Sequence, residues 1–281
     1  MKFAVSGYSF GRYLTESEEG FKSVIDRTAE MGFDGIEFSG FPHDLGLAKE
    51  IGAYAREKGL EVVNMAVGAD FLNDYDGSIA GLRTMIDITE ALGCRQLRHD
   101  LSGRGFADGR TTLRSYDCAI PTLAKGAKEI TEYAKEKGIR TMTENHGFFS
   151  QDAARVEKLI NTVGDPNFGA LVDIGNFLCA DEDPTYSVGV MAPYAFHVHA
   201  KDFFVKSGCD VNPGEGWFCS RAGNYLRGAI IGHGDAKVAQ SIKVLKNSGY
   251  DGYLSIEFEG MEDNLLGIRV GLSNLRRFVE M

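Results

Sequence analysis

Four short stretches hold the residues best able to do chemistry: Thr143-Glu144-Asn145-His146, Val172-Asp173-Ile174-Gly175-Asn176, His197-Val198-His199-Ala200-Lys201-Asp202 and Ser255-Ile256-Glu257-Phe258-Glu259. Each ends or crosses an apolar run of strand length, so each can present a polar group at a strand end. Glu144, Asp173 and Glu257 brought together would repel one another unless a cation neutralised them, because unpaired buried charge is costly. Completed by the His199 imidazole, this oxygen-rich set suits one divalent metal ion, Mn2+, Mg2+ or Co2+, and Zn2+ less exclusively. Lys201 can offset the negative charge left over. Side chains two apart on a strand share a face, so His197 and His199 point together, as do Glu257 and Glu259. Position along the strand then selects His199 and Glu257 for the rim, and leaves His197 to the interior.

Such a set needs four neighbouring strands ending at one rim, and the chain supplies them. Strands are expected at 3–8, 35–39, 61–67, 95–100, 140–145, 169–174, 195–200 and 253–258. Helices are expected at 16–31, 45–58, 78–92, 113–137, 151–162, 185–193, 237–248 and 263–279. Several helices close on a glycine followed at once by a strand, as in MGFDGIEF, EKGLEVV and EKGIRTM, where glycine takes the left-handed conformation. Eight alternating pairs in 281 residues predict an α/β fold, a single-domain (β/α)8 TIM barrel spanning residues 1–281. Its chemistry would lie at the C-terminal ends of the strands. The dinucleotide fingerprint is missing after the first strand, which weakens a Rossmann reading. Residues 203–234 break the rhythm as a long loop on the catalytic face, carrying the single Trp217.

Composition narrows the partners. A net charge of −10 and a pI near 5.2 argue against nucleic acid and anionic membrane surfaces. No apolar run reaches the roughly 18 residues of a membrane span, and MKFAVSGYSF is too polar for a secretory signal. Five cysteines without a CxxC pair suit a reduced, cytoplasmic protein. Further pocket candidates are Glu37 ending the second strand, equally able to serve structure or substrate, and His99 ending the fourth. Tyr8 and Phe10 are candidates for an apolar wall.

TENHG, VDIGN, HVHAKD, the Arg227…GHGD stretch and GYDGYLSIEFEG together resemble the sugar phosphate isomerase/epimerase superfamily of xylose isomerase-like barrels. The resemblance implies one metal on Glu144, Asp173, His199 and Glu257, and a small sugar or sugar derivative as substrate. It implies isomerase or epimerase chemistry, with Glu144 and Glu257 moving a proton next to a carbonyl through an enediolate. Arg227 resembles an arginine that grips substrate hydroxyls, and a homo-oligomer is usual for the family. Asn176 stands where ketose 3-epimerases often place a substrate-binding His. The Glu144-Asn145-His146 pattern is similar to C-glycoside deglycosidases, which implies a lyase of 3-keto sugars or glycosides with His146 as base, and a small partner subunit. Asn176, Lys201 and His233 complete the residues expected around substrate. A related DNA-repair nuclease would need a basic face and more than the 6 histidines present.

Overall fold

Amphipathic helices alternate with short buried strands from end to end. The computed structural model describes residues 1–15 and 18–281. In chain order these are β1 (Lys2–Ser6), α1 (Glu18–Glu30), β2 (Gly35–Ser39), α2 (Leu45–Glu57), β3 (Glu61–Val67), α3 (Tyr75–Leu92), β4 (Gln96–His99) and α4 (Tyr116–Glu136). Then come β5 (Arg140–Glu144), α5 (Ala153–Val163), β6 (Phe168–Asp173), α6 (Pro184–Met191), β7 (Ala195–Ala200), β8 (Asp202–Lys206), β9 (Phe218–Cys219), β10 (Tyr225–Ala229), α7 (Val238–Asn247), β11 (Tyr253–Ile256) and α8 (Asn264–Glu280). β1 to β7 and β11 close into a parallel barrel in sequential order, with β11 pairing β7 on one side and β1 on the other. The (β/α)8 expectation holds.

Local chemistry sets the boundaries. α3 begins three residues before the expected 78 because the Asp74 carboxylate accepts from the Gly77 amide and caps it. α4 begins at Tyr116, not 113: Leu113 sits at φ 54, outside helical space, and Ser115 caps the first turn. The first expected helix included residues 16 and 17, which lie outside the described residues.

The core fills the space between barrel and helices, with Val5, Ile36, Leu97, Val172, Val198 and Ile256 facing outward into it. The layers pack closely enough to demand glycine at Gly52, where an added Cβ would lie 2.2 Å from the Leu92 carbonyl oxygen. Gly52→Ala is expected to lose about 1–3 kcal/mol of stability in denaturant melts. Gly81→Ala, in α3 with nothing within 4 Å of its added carbon, is expected to gain up to about 1 kcal/mol.

Residues 203–234 correct the sequence reading. Part of this expected loop is a small antiparallel sheet in the order β8-β10-β9, attached to the rim directly after β7, while 207–217, 220–224 and 230–234 are irregular as expected. Asp202 anchors it, accepting from the amides of Phe203, Gly232, Gly234 and Ala236. A Cβ on Gly234 would meet Asp202 Oδ1 at 2.4 Å, so the GHGD stretch is a clasp around this buried carboxylate. Among the described residues, no helix is long and apolar enough to cross a membrane.

Candidate active site

The barrel pleat decides which polar residues meet. Met142 and Glu144 alternate with Thr141 on β5, and the Thr141 hydroxyl lies 2.7 Å from Thr131 on α4, which marks the outward face. Glu144 therefore faces inward. Four side chains converge at the C-terminal end: Glu144, Asp173, His199 and Glu257 each offer a ligand atom, all within 4.8 Å of one another.

These residues fit a divalent cation. Asp173 Oδ2 and His199 Nδ1 are buried without a hydrogen-bond partner, a costly state that a cation would relieve. His199 Nδ1 is the atom turned towards the carboxylates, 3.7 Å from Asp173 Oδ2 and 3.5 Å from Glu257 Oε2. Its Nε2 lies 2.6 Å from Glu37 Oε1. Buried acidic ligands with one imidazole are the donor set that hard divalent ions prefer.

Two cations already offset part of the charge. Arg98 Nε lies 2.7 Å from Glu144 Oε2, and Lys201 Nζ contacts Glu257 with Asp173 Oδ2 at 3.3 Å. Burial opposes charge on Glu257, but Lys201 and His199 hold its carboxyl well below the usual range. Burial pushes Glu144 upward against the pull of Arg98. Asn176 ties the ligands together: its amide donates to Glu144 Oε1 at 2.8 Å, its carbonyl accepts from Lys201, and its backbone N–H donates to Asp173.

A cavity of about 550 Å3 opens over this cluster, lined by Tyr8, Arg98, Glu144, His146, Lys201 and Glu257 among others. That volume suits a small metabolite. His146 is half exposed in it, and its Nδ1 lies 3.0 Å from Asp100 Oδ1. Burial works against a charge on His146, but the Asp100 hydrogen bond and Glu144 lift its pKa above the ordinary value. Asp100 is also paired with Arg98 Nη2 at 2.7 Å. One guanidinium thus joins Glu144, a candidate metal ligand, to the carboxylate that holds His146.

Several expected substrate residues lie elsewhere. Glu37 is fully buried beneath the ligands and accepts from His197 Nε2 at 3.0 Å and Asn64 at 3.2 Å. The two imidazoles outweigh its burial and draw its pKa far down. Asn176 is buried against the ligand carboxylates and does not line the cavity. Arg227 lies outside the cavity on β10, its guanidinium over Phe204 and paired with Glu262 at 3.1 Å. His233 is exposed on the Asp202 clasp and likewise does not line the cavity. Phe10 is core, whereas Tyr8 lines the cavity.

His99 is the clearest correction. Neighbours on a strand face opposite ways, so with Arg98 turned inward His99 turns outward, its ring 5.9 Å from Phe71 and 6.0 Å from Phe168. Arg98 and Asp100 were the missed residues, and the same parity count on β4 could have found Arg98. Burial pushes the His99 pKa down to about 4, from an ordinary 6.5. Between those values the unfolded chain takes up a proton that the folded chain refuses, so stability falls as pH drops from about 6.5 to about 4 and then levels. His99→Asn is expected to flatten that part of the fall, read as urea midpoint against pH for both proteins.

Known proteins agree with this architecture. The chain is 25% identical over 260 residues to an inosose dehydratase of Clostridium perfringens (strain 13 / Type A), covering 86% of this chain and 83% of the relative. It is 29% identical over 262 residues to one of Bacillus thuringiensis (strain Al Hakam), with the same coverage. Among solved structures, D-psicose 3-epimerase from Clostridium cellulolyticum H10 superposes with a TM-score of 0.75 at 14% identity, covering 99% of each chain. A barrel closed in sequential order, with a Glu-Asp-His-Glu cluster at its rim, is thus matched by a family model over residues 25–278, and the chain belongs to the xylose isomerase-like TIM barrels.

Proposed function

We propose that this protein is a metal-dependent lyase that removes water from a small polyhydroxylated ketone, a keto sugar or keto cyclitol. The observation that carries this reading is His146, which lines the cavity and whose Nδ1 is held by Asp100. Glu144 Oε2 is engaged by Arg98 and its Oε1 by Asn176, which leaves His146 Nε2 as the base free to meet substrate. The inosose dehydratases at 25–29% identity support the same reaction class.

Glu144, Asp173, His199 and Glu257 would hold a divalent ion, Mn2+ by preference, which would supply the Lewis acidity that makes a C–H next to a carbonyl removable. His146 Nε2 takes that proton while Asp100 holds Nδ1 and fixes the ring. The C–H electron pair forms the C=C bond and the C–O bond to the neighbouring hydroxyl breaks. The proton on His146 passes to the leaving hydroxyl, so water departs. Glu257 and Glu259 on the cavity wall make a phosphorylated substrate unfavourable. All five cysteines are free, which supports a reducing, cytoplasmic setting.

Epimerisation is the second reading, favoured by Glu144 and Glu257 lining one cavity. Incubating the Mn2+-loaded protein in deuterated water with inosose and a panel of ketohexoses separates the two. Loss of water with formation of an enone supports the lyase. Deuterium uptake at carbon without water loss, from any member of the panel, sinks the lyase reading and supports the epimerase.

A further inference from the structure

A second cleft, of about 570 Å3, opens at the same end of the barrel. Arg104 comes to it from the β4–α4 loop, Phe148 and Phe149 from the loop after β5, and Phe218 and Arg221 from the β9 edge of the small sheet. None of these residues lines the central cavity. The volume lies within the range of small-molecule sites.

Two independent features distinguish it from an ordinary crevice. Phe148 sits at φ 66, a left-handed conformation that bulky residues avoid and that gathers at binding sites. The surroundings hold it there: its N–H donates to Gln151 Oε1 at 2.6 Å, and its carbonyl accepts from Arg221, which is clamped by Asp152. Gln151 in turn donates to the Asn176 carbonyl at 2.8 Å, so the strained turn is tied to the residue that positions the metal ligands. The second feature is Arg104. Its guanidinium stacks over the Phe148 ring at 5.1 Å, and among the described residues it has no carboxylate partner, in a chain of net charge −10. Arg221 is already neutralised by Asp152, so the uncompensated charge in the cleft is that of Arg104.

We propose that this cleft binds a planar aromatic group bearing a negative charge. Phe149 and Phe218 offer ring faces and edges to a flat ligand, and Arg104 meets its anion. The group can be a substituent carried by the polyol substrate or a separate molecule; the ring and its charge are common to both.

Naphthalene-2-carboxylate is the probe, titrated calorimetrically into the intact protein, with 2-naphthamide and cyclohexanecarboxylate as controls. Saturable binding is expected, about fivefold weaker after Arg104→Gln and after Phe218→Ala, and weaker for both controls. Both substituted side chains are exposed, and circular dichroism checks that the variants fold. Absence of saturable binding overturns the proposal, as does an affinity that neither substitution changes or that both controls match. A 4-carboxyphenyl glycoside identifies the source. Tighter binding than the free arene, lost in Phe218→Ala, assigns the group to the substrate, and equal binding assigns it to a separate molecule. Binding is read without turnover, so the result stands apart from which reaction the central cavity performs.

Discussion

His146→Asn is expected to lower kcat on a dehydratable ketone by roughly 10²–10⁴-fold, the range for loss of a general base, with the metal content of the protein unchanged. The separation is possible because His146 is not among the four converging ligands. Its imidazole is held instead by Asp100, which Arg98 fixes in turn. Asparagine keeps a donor near Nδ1 but provides no base at the Nε2 position. Asp100→Asn is expected to act in the same direction and less strongly, since it frees the ring without removing it. Turnover measured beside metal analysis gives a clear decision. An unchanged kcat removes His146 from the chemistry, and loss of metal makes it part of the metal site.

Glu37→Gln is expected to weaken metal affinity by roughly 10–100-fold, the usual cost of losing a carboxylate behind a metal-binding histidine. Glu37 lies 2.6 Å from His199 Nε2 and accepts from His197 and Asn64. Its charge therefore turns His199 Nδ1 towards the carboxylates and stays compensated in a fully buried place. A glutamine would present an N–H to donors already pointing at it. Competition with a chelating dye measures the affinity, and the rise in thermal midpoint on adding Mn2+ gives a second readout through linkage. Equal affinity in both proteins would show that packing alone orients the imidazole. Chelation of the native protein is expected to abolish turnover, and added Mn2+ to restore it.

Much of this molecule was legible in one dimension. The alternation of β-branched runs with helical periodicity, punctuated by glycine, determined the barrel. The Glu144, Asp173, His199 and Glu257 set followed because each stands at the end of a predicted strand, and strand ends in such a barrel converge by construction. Other features depended on contacts between distant segments. Arg98 and Glu144 are 46 positions apart, and their pairing follows from closure of adjacent strands and from which way β4 is pleated. A one-residue error in parity exchanges Arg98 for His99, moving an imidazole from the cavity to the helical layer. Residues 203–234 carry no long periodic run, so the small sheet and its Asp202 clasp come from tertiary pairing. Asn176 and Arg227 were expected around substrate from the family resemblance, Glu37 from its strand end and His233 from its place on the catalytic face. In the structure none of the four lines the central cavity, because depth and direction of the side chain are set by tertiary packing. Residue type and spacing singled out the four candidate metal ligands; burial and cross-strand contact decided that Arg98 and Asp100 join one of them, Glu144, to His146.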